Sequence, residues 1–230
     1  MEKAHVQSLF DSIAHRYDLL NHLLSGGVDL YWRRKAVEQM RDIHPRRILD
    51  VAAGTADFAI AALRLKPEKV IGVDISERML ELGREKIGKR RLGSVIELRA
   101  GDAEALPFDE GSFDAAMVAF GARNFENLDR GLREMHRVIR PGGKIVVLEF
   151  SRPRAFPFKQ IYLLYFRKIL PLIGNSVSGH NEAYQYLSDS VMQFPEGVEF
   201  VARLSNVGFS RPGQKRLTFG IVTIYSGIRN

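Results

Sequence analysis

Five short apolar runs alternate with helix-patterned stretches through the middle of this chain, and that alternation leaves few folds open. The runs are Arg46-Arg47-Ile48-Leu49-Asp50-Val51-Ala52, Val70-Ile71-Gly72-Val73-Asp74, Val95-Ile96-Glu97-Leu98, Phe113-Asp114-Ala115-Ala116-Met117-Val118 and Ile145-Val146-Val147-Leu148-Glu149. Helical spacing fills 57–65, 77–90 and 127–139 between them. Strands that are apolar on both faces need cover on both faces, which predicts a doubly wound α/β fold with a parallel sheet. The third of these helices should stop at Arg140-Pro141-Gly142-Gly143, because proline cannot continue a helix and glycine turns the chain.

Outside this core the texture changes. Residues 1–45 read as a helical cap, with Val6, Leu9, Phe10, Ile13 and Tyr17 at helix spacing, a turn at Ser25-Gly26-Gly27 and a second helix from Asp29 to Met40. Residues 46–150 form the alternating core. Residues 151–195 hold four prolines (Pro153, Pro157, Pro171, Pro195) and many aromatics, and read as an insertion on the substrate side rather than a separate domain. Residues 196–230 close the chain with a helix near 196–206 and strands near 210–218 and 221–228, for seven strands in all. A length of 230 residues suits one domain with one sizeable core.

Composition excludes some chemistry. There is no cysteine, so disulfides, thiolate zinc sites and cysteine nucleophiles are out. His5, His15 and His22 share a helical region, but their spacing makes no compact ligand set, and no metal site is expected. The polar start, Met1-Glu2-Lys3-Ala4-His5, lacks an apolar signal core, and no apolar run is long enough to cross a bilayer. A cytoplasmic protein is therefore expected. The net charge of +7 admits nucleic acid, an anionic membrane surface, an anionic small molecule or simple solubility.

The first strand leads into Asp50-Val51-Ala52-Ala53-Gly54-Thr55-Ala56-Asp57, which opens a helix at the place where α/β folds bind nucleotides. Only Gly54 remains of a three-glycine pattern; Ala52 and Ala56 hold the other two places. The second strand ends in Asp74, about 20 residues on, where a carboxylate can accept from ribose hydroxyls. Asp102 follows the third strand and can meet an adenine amine. A pyrophosphate ligand such as NAD would want glycines and positive surroundings. These acids instead suit a cationic ligand such as S-adenosylmethionine.

Leu106-Pro107-Phe108 with Ser112-Phe113-Asp114, and Arg137 through Gly143, are similar to the later motifs of class I small-molecule methyltransferases. Further segments narrow the likeness. Tyr17-Asp18-Leu19-Leu20-Asn21, Ser25-Gly26-Gly27-Val28-Asp29, Trp32-Arg33, Phe120-Gly121-Ala122-Arg123-Asn124, Leu148 through Pro153, Ala183 through Leu187 and Phe194-Pro195 resemble the ubiquinone/menaquinone biosynthesis C-methyltransferases along nearly the whole chain. The resemblance implies a Rossmann-like sheet whose last strand is antiparallel. It implies S-adenosylmethionine as cofactor, with cofactor positions at Thr55, Asp74, Asp102 and Ala103. A further one falls at Ala119, which keeps its backbone groups but lacks the hydroxyl of the serine often found there. The implied reaction is methylation of demethylmenaquinol, or of the equivalent benzoquinol.

Methyl transfer from a sulfonium needs alignment and exclusion of water. A carbon nucleophile also needs an electron-rich ring, so an ortho hydroxyl should be losing its proton. Arg123 and Asn124 lie just past the fourth strand, and His180 and Tyr184 lie in the insertion; these are the candidates for that work. Arg123 would stabilise phenolate charge, since guanidinium is no base near neutral pH.

From Ser151 to Asn181 the chain has no Asp or Glu, while Arg152, Arg154, Lys159, Arg167 and Lys168 stand among Phe156, Phe158, Tyr162, Tyr165 and Phe166. That mixture suits either the headgroup layer of an anionic membrane or the wall of an apolar substrate site. Apart from it, the basic residues form no aromatic-interleaved pattern for single strands, and no nucleic-acid partner is expected. The prenyl length and the oligomeric state are left open.

Overall fold

The computed structural model describes residues 3–12, 14, 27–164 and 181–230. Its strands are β1 (Arg47–Val51), β2 (Lys69–Asp74), β3 (Ile96–Ala100), β4 (Phe113–Ala119), β5 (Ile139–Phe150), β6 (Phe209–Leu217) and β7 (Val222–Arg229). They make one sheet in the order β3-β2-β1-β4-β5-β7-β6. Neighbours among β1 to β5 are parallel. The last strand, β7, runs antiparallel to both β5 and β6 and is wedged between them. The strand order reverses at β1, where β2 lies on one side and β4 on the other, and doubly wound folds bind ligands at that point.

The helices are α1 (3–12), α2 (Val28–Val37), α3 (Asp57–Ala62), α4 (Glu77–Lys89), α5 (Leu128–Val138), α6 (Phe158–Leu164), α7 (Asn181–Gln193) and α8 (Val198–Val207). The N-terminal helical reading holds for α1 and α2, with tighter turns carrying the chain on to Ile43; Tyr17, Ser25 and Gly26 lie outside the described residues. The stop of α5 comes earlier than the proline predicts. Ile139 is already extended, and β5 takes in Pro141-Gly142-Gly143 as an irregularity in its pairing with β4. Pairing between Ile139 and Phe113 wins over another half-turn of helix.

Side chains alternate across the sheet. Ile48 of β1 packs with Trp32, Ala36, Met40 and Phe58 of the α2 and α3 layer. Leu49 and Val51 pack with Leu132, Met135, Phe200 and Leu204 of the α5 and α8 layer. Each such fully buried aliphatic contributes about 1.5–3 kcal/mol. The same alternation sends Asp50 to the α2 and α3 side, where it is 1% exposed.

Candidate active site

The turn after β1 keeps the backbone of a glycine-rich loop with only one of the glycines. Ala52, Gly54 and Ala56 all have positive φ, at 53°, 52° and 69°. An alanine there costs roughly 1–2 kcal/mol. The loop bends sharply enough for the Gly54 N–H to donate to Asp74 Oδ2 at 2.8 Å, while Ser76 N–H donates to Oδ1 at 2.9 Å. Burial pushes the Asp74 carboxyl above its usual range, and these backbone donors pull against that rise. Asp74 thus ties the β1 loop to the β2 loop and still faces the cleft between them.

That cleft, of about 710 Å³, runs from Asp74 past Asp102 and Ala103 to Ala119, Gly121 and Asn124. Asp102 accepts from Glu104 N–H at 2.9 Å and from Lys3 Nζ at 2.7 Å. Burial would raise its carboxyl, but the Lys3 and Glu104 bonds outweigh it and hold the group low. Lys3, Val6 and Phe10 bring α1 over the cleft, and Asp11 of α1 takes a 2.5 Å bond from the Ser76 hydroxyl. Gly121 is needed for space rather than for its turn. Its φ of −117° suits any residue, but a Cβ there would sit 2.5 Å from that of Ala52. The preceding Phe120 has φ 58°, a strained state for a bulky residue.

The remaining cofactor candidates divide. Thr55 is buried, and its hydroxyl accepts from Lys86 Nζ at 3.0 Å. Asp50 and Thr55 line a smaller recess of about 310 Å³ with Arg33, Ala52, Gly54 and Ala119. Ala52, Gly54 and Ala119 border the larger cleft too, so the two spaces adjoin.

A second cleft opens beyond β4, lined by Arg123, Asn124, Phe125, Glu126, Tyr186, Ser190 and Phe194. Asn124, Phe125 and Glu126 border both it and the cofactor cleft. Asn124 Oδ1 accepts from the Tyr186 hydroxyl at 2.8 Å. Arg123 is not an exposed cap. Its side chain is 5% exposed, and its Nη1 donates to Glu149 Oε2 at 2.9 Å, with Glu149 fully buried. The same Nη1 donates to the Phe120 carbonyl, and Nε is buried without a partner among the described residues. The cap of α5 is Asn127, whose side chain accepts from Arg130 N–H. His180 lies outside the described residues, and so does the Tyr184 side chain.

In sequence, Arg33, Glu149 and Tyr186 have a place in the segments that carry the family resemblance but no site role, and Glu126 is not singled out. Glu149 had a signal: one acid at the end of an otherwise apolar strand. The pairing of Tyr186 with Asn124 has no local signature, because the two stand 62 residues apart.

Fold and cleft together define a nucleotide-binding α/β protein of the doubly wound class. A solved S-adenosylmethionine-dependent methyltransferase from Thermotoga maritima, described as a possible histamine N-methyltransferase, has the same fold; its TM-score is 0.67 at 20% identity, covering 97% of this chain and 99% of that one. The model of the ubiE/COQ5 methyltransferase family matches residues 1–229, and the chain belongs to that family. Among its relatives is the demethylmenaquinone methyltransferase of Bacteroides fragilis, 47% identical over 225 residues, which span 97% of this chain and 92% of the relative. The ubiquinone/menaquinone biosynthesis C-methyltransferase UbiE of Geotalea uraniireducens is 47% identical over 224 residues, spanning 96% and 95%.

Proposed function

We propose that this protein transfers a methyl group from S-adenosylmethionine to a ring carbon of a prenylated quinol, either demethylmenaquinol or the corresponding polyprenyl benzoquinol. The family and the names of its members support the reaction class. The observation that carries the reading within this molecule is the pair of clefts with Asn124 in their common wall. A donor and an acceptor can be brought together there.

The residues present fit the cofactor. Asp74 has lone pairs left for ribose hydroxyls. Asp102 keeps capacity for an adenine amine beside its bond to Lys3, since a carboxylate offers about four acceptor sites. When bound, S-adenosylmethionine supplies an electrophilic methyl group, and the surrounding carboxylates favour its positive charge. Ala103 and Ala119 offer backbone only.

On the acceptor side, Asn124 orients the quinol hydroxyl: its oxygen is engaged by Tyr186, which leaves the amide N–H groups to donate. Burial raises the Tyr186 hydroxyl above its usual range, so it stays protonated and acts as a donor. Arg123 sits behind Asn124 as a buried positive charge that favours phenolate over phenol. Its pairing with Glu149 makes it a positioning residue with an electrostatic effect. Glu126, bordering both clefts, is placed to accept the proton; Glu126→Gln should then lower turnover with both substrates saturating, and unchanged turnover would reassign that role.

Among the described residues no helix is long and apolar enough to cross a membrane. We place the protein at a membrane surface as a peripheral enzyme. Arg152 and Arg154 turn partly back on the buried Glu196, at 3.4 and 3.9 Å, so the basic stretch is less free than its sequence suggests. Exposed apolar groups take up the role: Phe156 is 81% exposed, and Phe219, 66% exposed, stacks on Phe158 at 3.8 Å. Phe156→Ser with Phe219→Ser should cut binding to anionic vesicles, and equal binding would remove the membrane assignment.

The reaction itself is tested by supplying labelled S-adenosylmethionine and a panel of reduced quinones, with products read by mass and fragmentation. The reading requires one added methyl on a ring carbon of a prenylated quinol. Methyl on oxygen, or none on any quinol, would refute it.

A further inference from the structure

The pairing of β4 with β5 ends on an exchanged hydrogen bond. The register runs to Ala119 beside Leu148, and the Phe120 N–H still donates to the Leu148 carbonyl at 2.8 Å. In a parallel ladder the next bond would run from the Phe150 N–H to the Phe120 carbonyl. Phe120 instead adopts φ 58°, which turns its carbonyl off the ladder. That carbonyl accepts from Arg123 Nη1 at 2.5 Å, and the Phe150 N–H donates to Glu149 Oε2 at 3.1 Å. Both groups released from the rung thus go to the two members of the buried Arg123–Glu149 pair. A further bond, from the Arg123 N–H to Glu149 Oε1 at 3.2 Å, closes the set.

A left-handed backbone is costly for a bulky residue and persists only where its surroundings over-determine it. Here the ring does so. Phe120 is 6% exposed. Its ring lies 4.5 Å from that of Phe150 and 6.2 Å from that of Trp32, centroid to centroid, and the Arg33 guanidinium sits over it at 5.4 Å. The Arg123 guanidinium stands 5.5 Å from the Phe150 ring, so one aromatic stack braces both the strained residue and the arginine it serves. We propose that Phe120 is a positioning residue for methyl transfer: its pinned ring holds the strained backbone whose carbonyl fixes the Arg123 guanidinium behind Asn124. The inference rests on Arg123 favouring the phenolate form of the quinol. Tyr162 of α6 and Tyr186 of α7 face the same guanidinium. Burial raises both hydroxyls above their usual range by more than the Arg123 charge lowers them, and they stay protonated.

The pH profile of kcat, with S-adenosylmethionine and a short-chain demethylmenaquinol both saturating, reports on groups in the bound complex and tests this role. Phe120→Gly removes the ring and frees the backbone to rejoin the ladder. Arg123 then loses an anchor, and the bound quinol hydroxyl becomes harder to ionise. The rising limb should move up by about one pH unit, with turnover about tenfold lower below the limb and close to wild type above it. A purely structural defect would lower turnover equally at every pH; that result, or an unmoved limb, would overturn the proposal. Phe120→Leu fills much of the space without a ring and should move the limb in the same sense, which decides the matter if the glycine variant does not fold. Arg123→Gln combined with Glu149→Gln removes both buried charges together and separates this proposal from the reading beneath it. A limb moved by that double variant but by neither Phe120 variant overturns the role of Phe120 alone. A limb unmoved by the double variant overturns the effect of Arg123 on the quinol, and this inference with it.

Discussion

The two clefts that meet at Asn124 are built by different means. The cofactor cleft is held by backbone. Asp74 is fixed by the N–H groups of Gly54 and Ser76, and Asp102 by that of Glu104 together with the partly exposed Lys3 side chain. The acceptor cleft is held by side chains that are distant in sequence: Arg123 with Glu149, 26 residues apart, and Asn124 with Tyr186, 62 apart. A backbone-held carboxylate can be replaced with little damage to its neighbours. A buried ion pair cannot, because removing one partner leaves the other's charge buried without its counter-charge. Changes in the acceptor cleft should therefore cost stability as well as function, and changes in the cofactor cleft mainly affinity.

The sharpest break between the two should come from Glu149→Ala. It strands a guanidinium that is 5% exposed, which should cost about 3–5 kcal/mol in chemical denaturation. Asp102→Ala removes an acid whose partner Lys3 is 31% exposed and should cost less than about 1 kcal/mol. Similar losses in the two would erase the distinction.

Asp50 is the exception within the cofactor half, an acid 1% exposed on the far face of β1, and pH should expose it. Its folded carboxyl lies near 8, whereas the unfolded chain ionises at about 3.9. Between those values the folded state keeps a proton that the unfolded state has lost, so stability falls as pH rises. Burial drives this shift; the Arg33 charge and the Ala59 backbone N–H oppose it, and Asp74 and Asp57 add to it. Asp50→Asn removes the titration. In the absence of cofactor, its stability relative to wild type should improve by at least about 1 kcal/mol between pH 5 and pH 9. A constant difference across that range would mean that Asp50 is ionised throughout.

The smallest effect belongs to the loop. Ala56 pays for a left-handed backbone just before α3, so Ala56→Gly should stabilise by about 0.5–1 kcal/mol. Ala59→Gly, inside the same helix, should destabilise by a similar amount. If both destabilise, the positive φ at Ala56 carries no strain.

The contrast also explains what could be read from sequence. The sheet was legible because apolar runs and helical spacing are local patterns, and so were the acids near the ends of β1 and β2 and just after β3. Thr55 was legible as a position, but its hydroxyl turns to Lys86, a partner 31 residues away. The place of β7 inside the sheet rather than at its edge is a pairing choice with no local signature. Arg33 stands in a segment that carries the family resemblance, but its burial beside Asp50 depends on how α2 packs on the sheet and has no local signature. Arg123 was found as a candidate, yet its burial against Glu149 depends on β4 and β5 lying side by side. The alanine-for-glycine loop looked weak as a motif, and the structure shows why it still works: the three positive φ values survive the substitutions.

The central claim, one cleft for the cofactor and one for the quinol with Asn124 between them, is tested most directly by measuring affinity and turnover on the same two variants. Asp74→Ala should lose S-adenosylmethionine affinity by about 10-fold or more, through charge-assisted bonds worth about 1.5–3 kcal/mol each. Asn124→Ala should keep that affinity within about threefold and lose about 10²-fold in kcat with a short-chain demethylmenaquinol. If Asn124→Ala instead lost affinity and turnover in equal measure, or lost neither, the wall between the two clefts would not be where the reaction takes place.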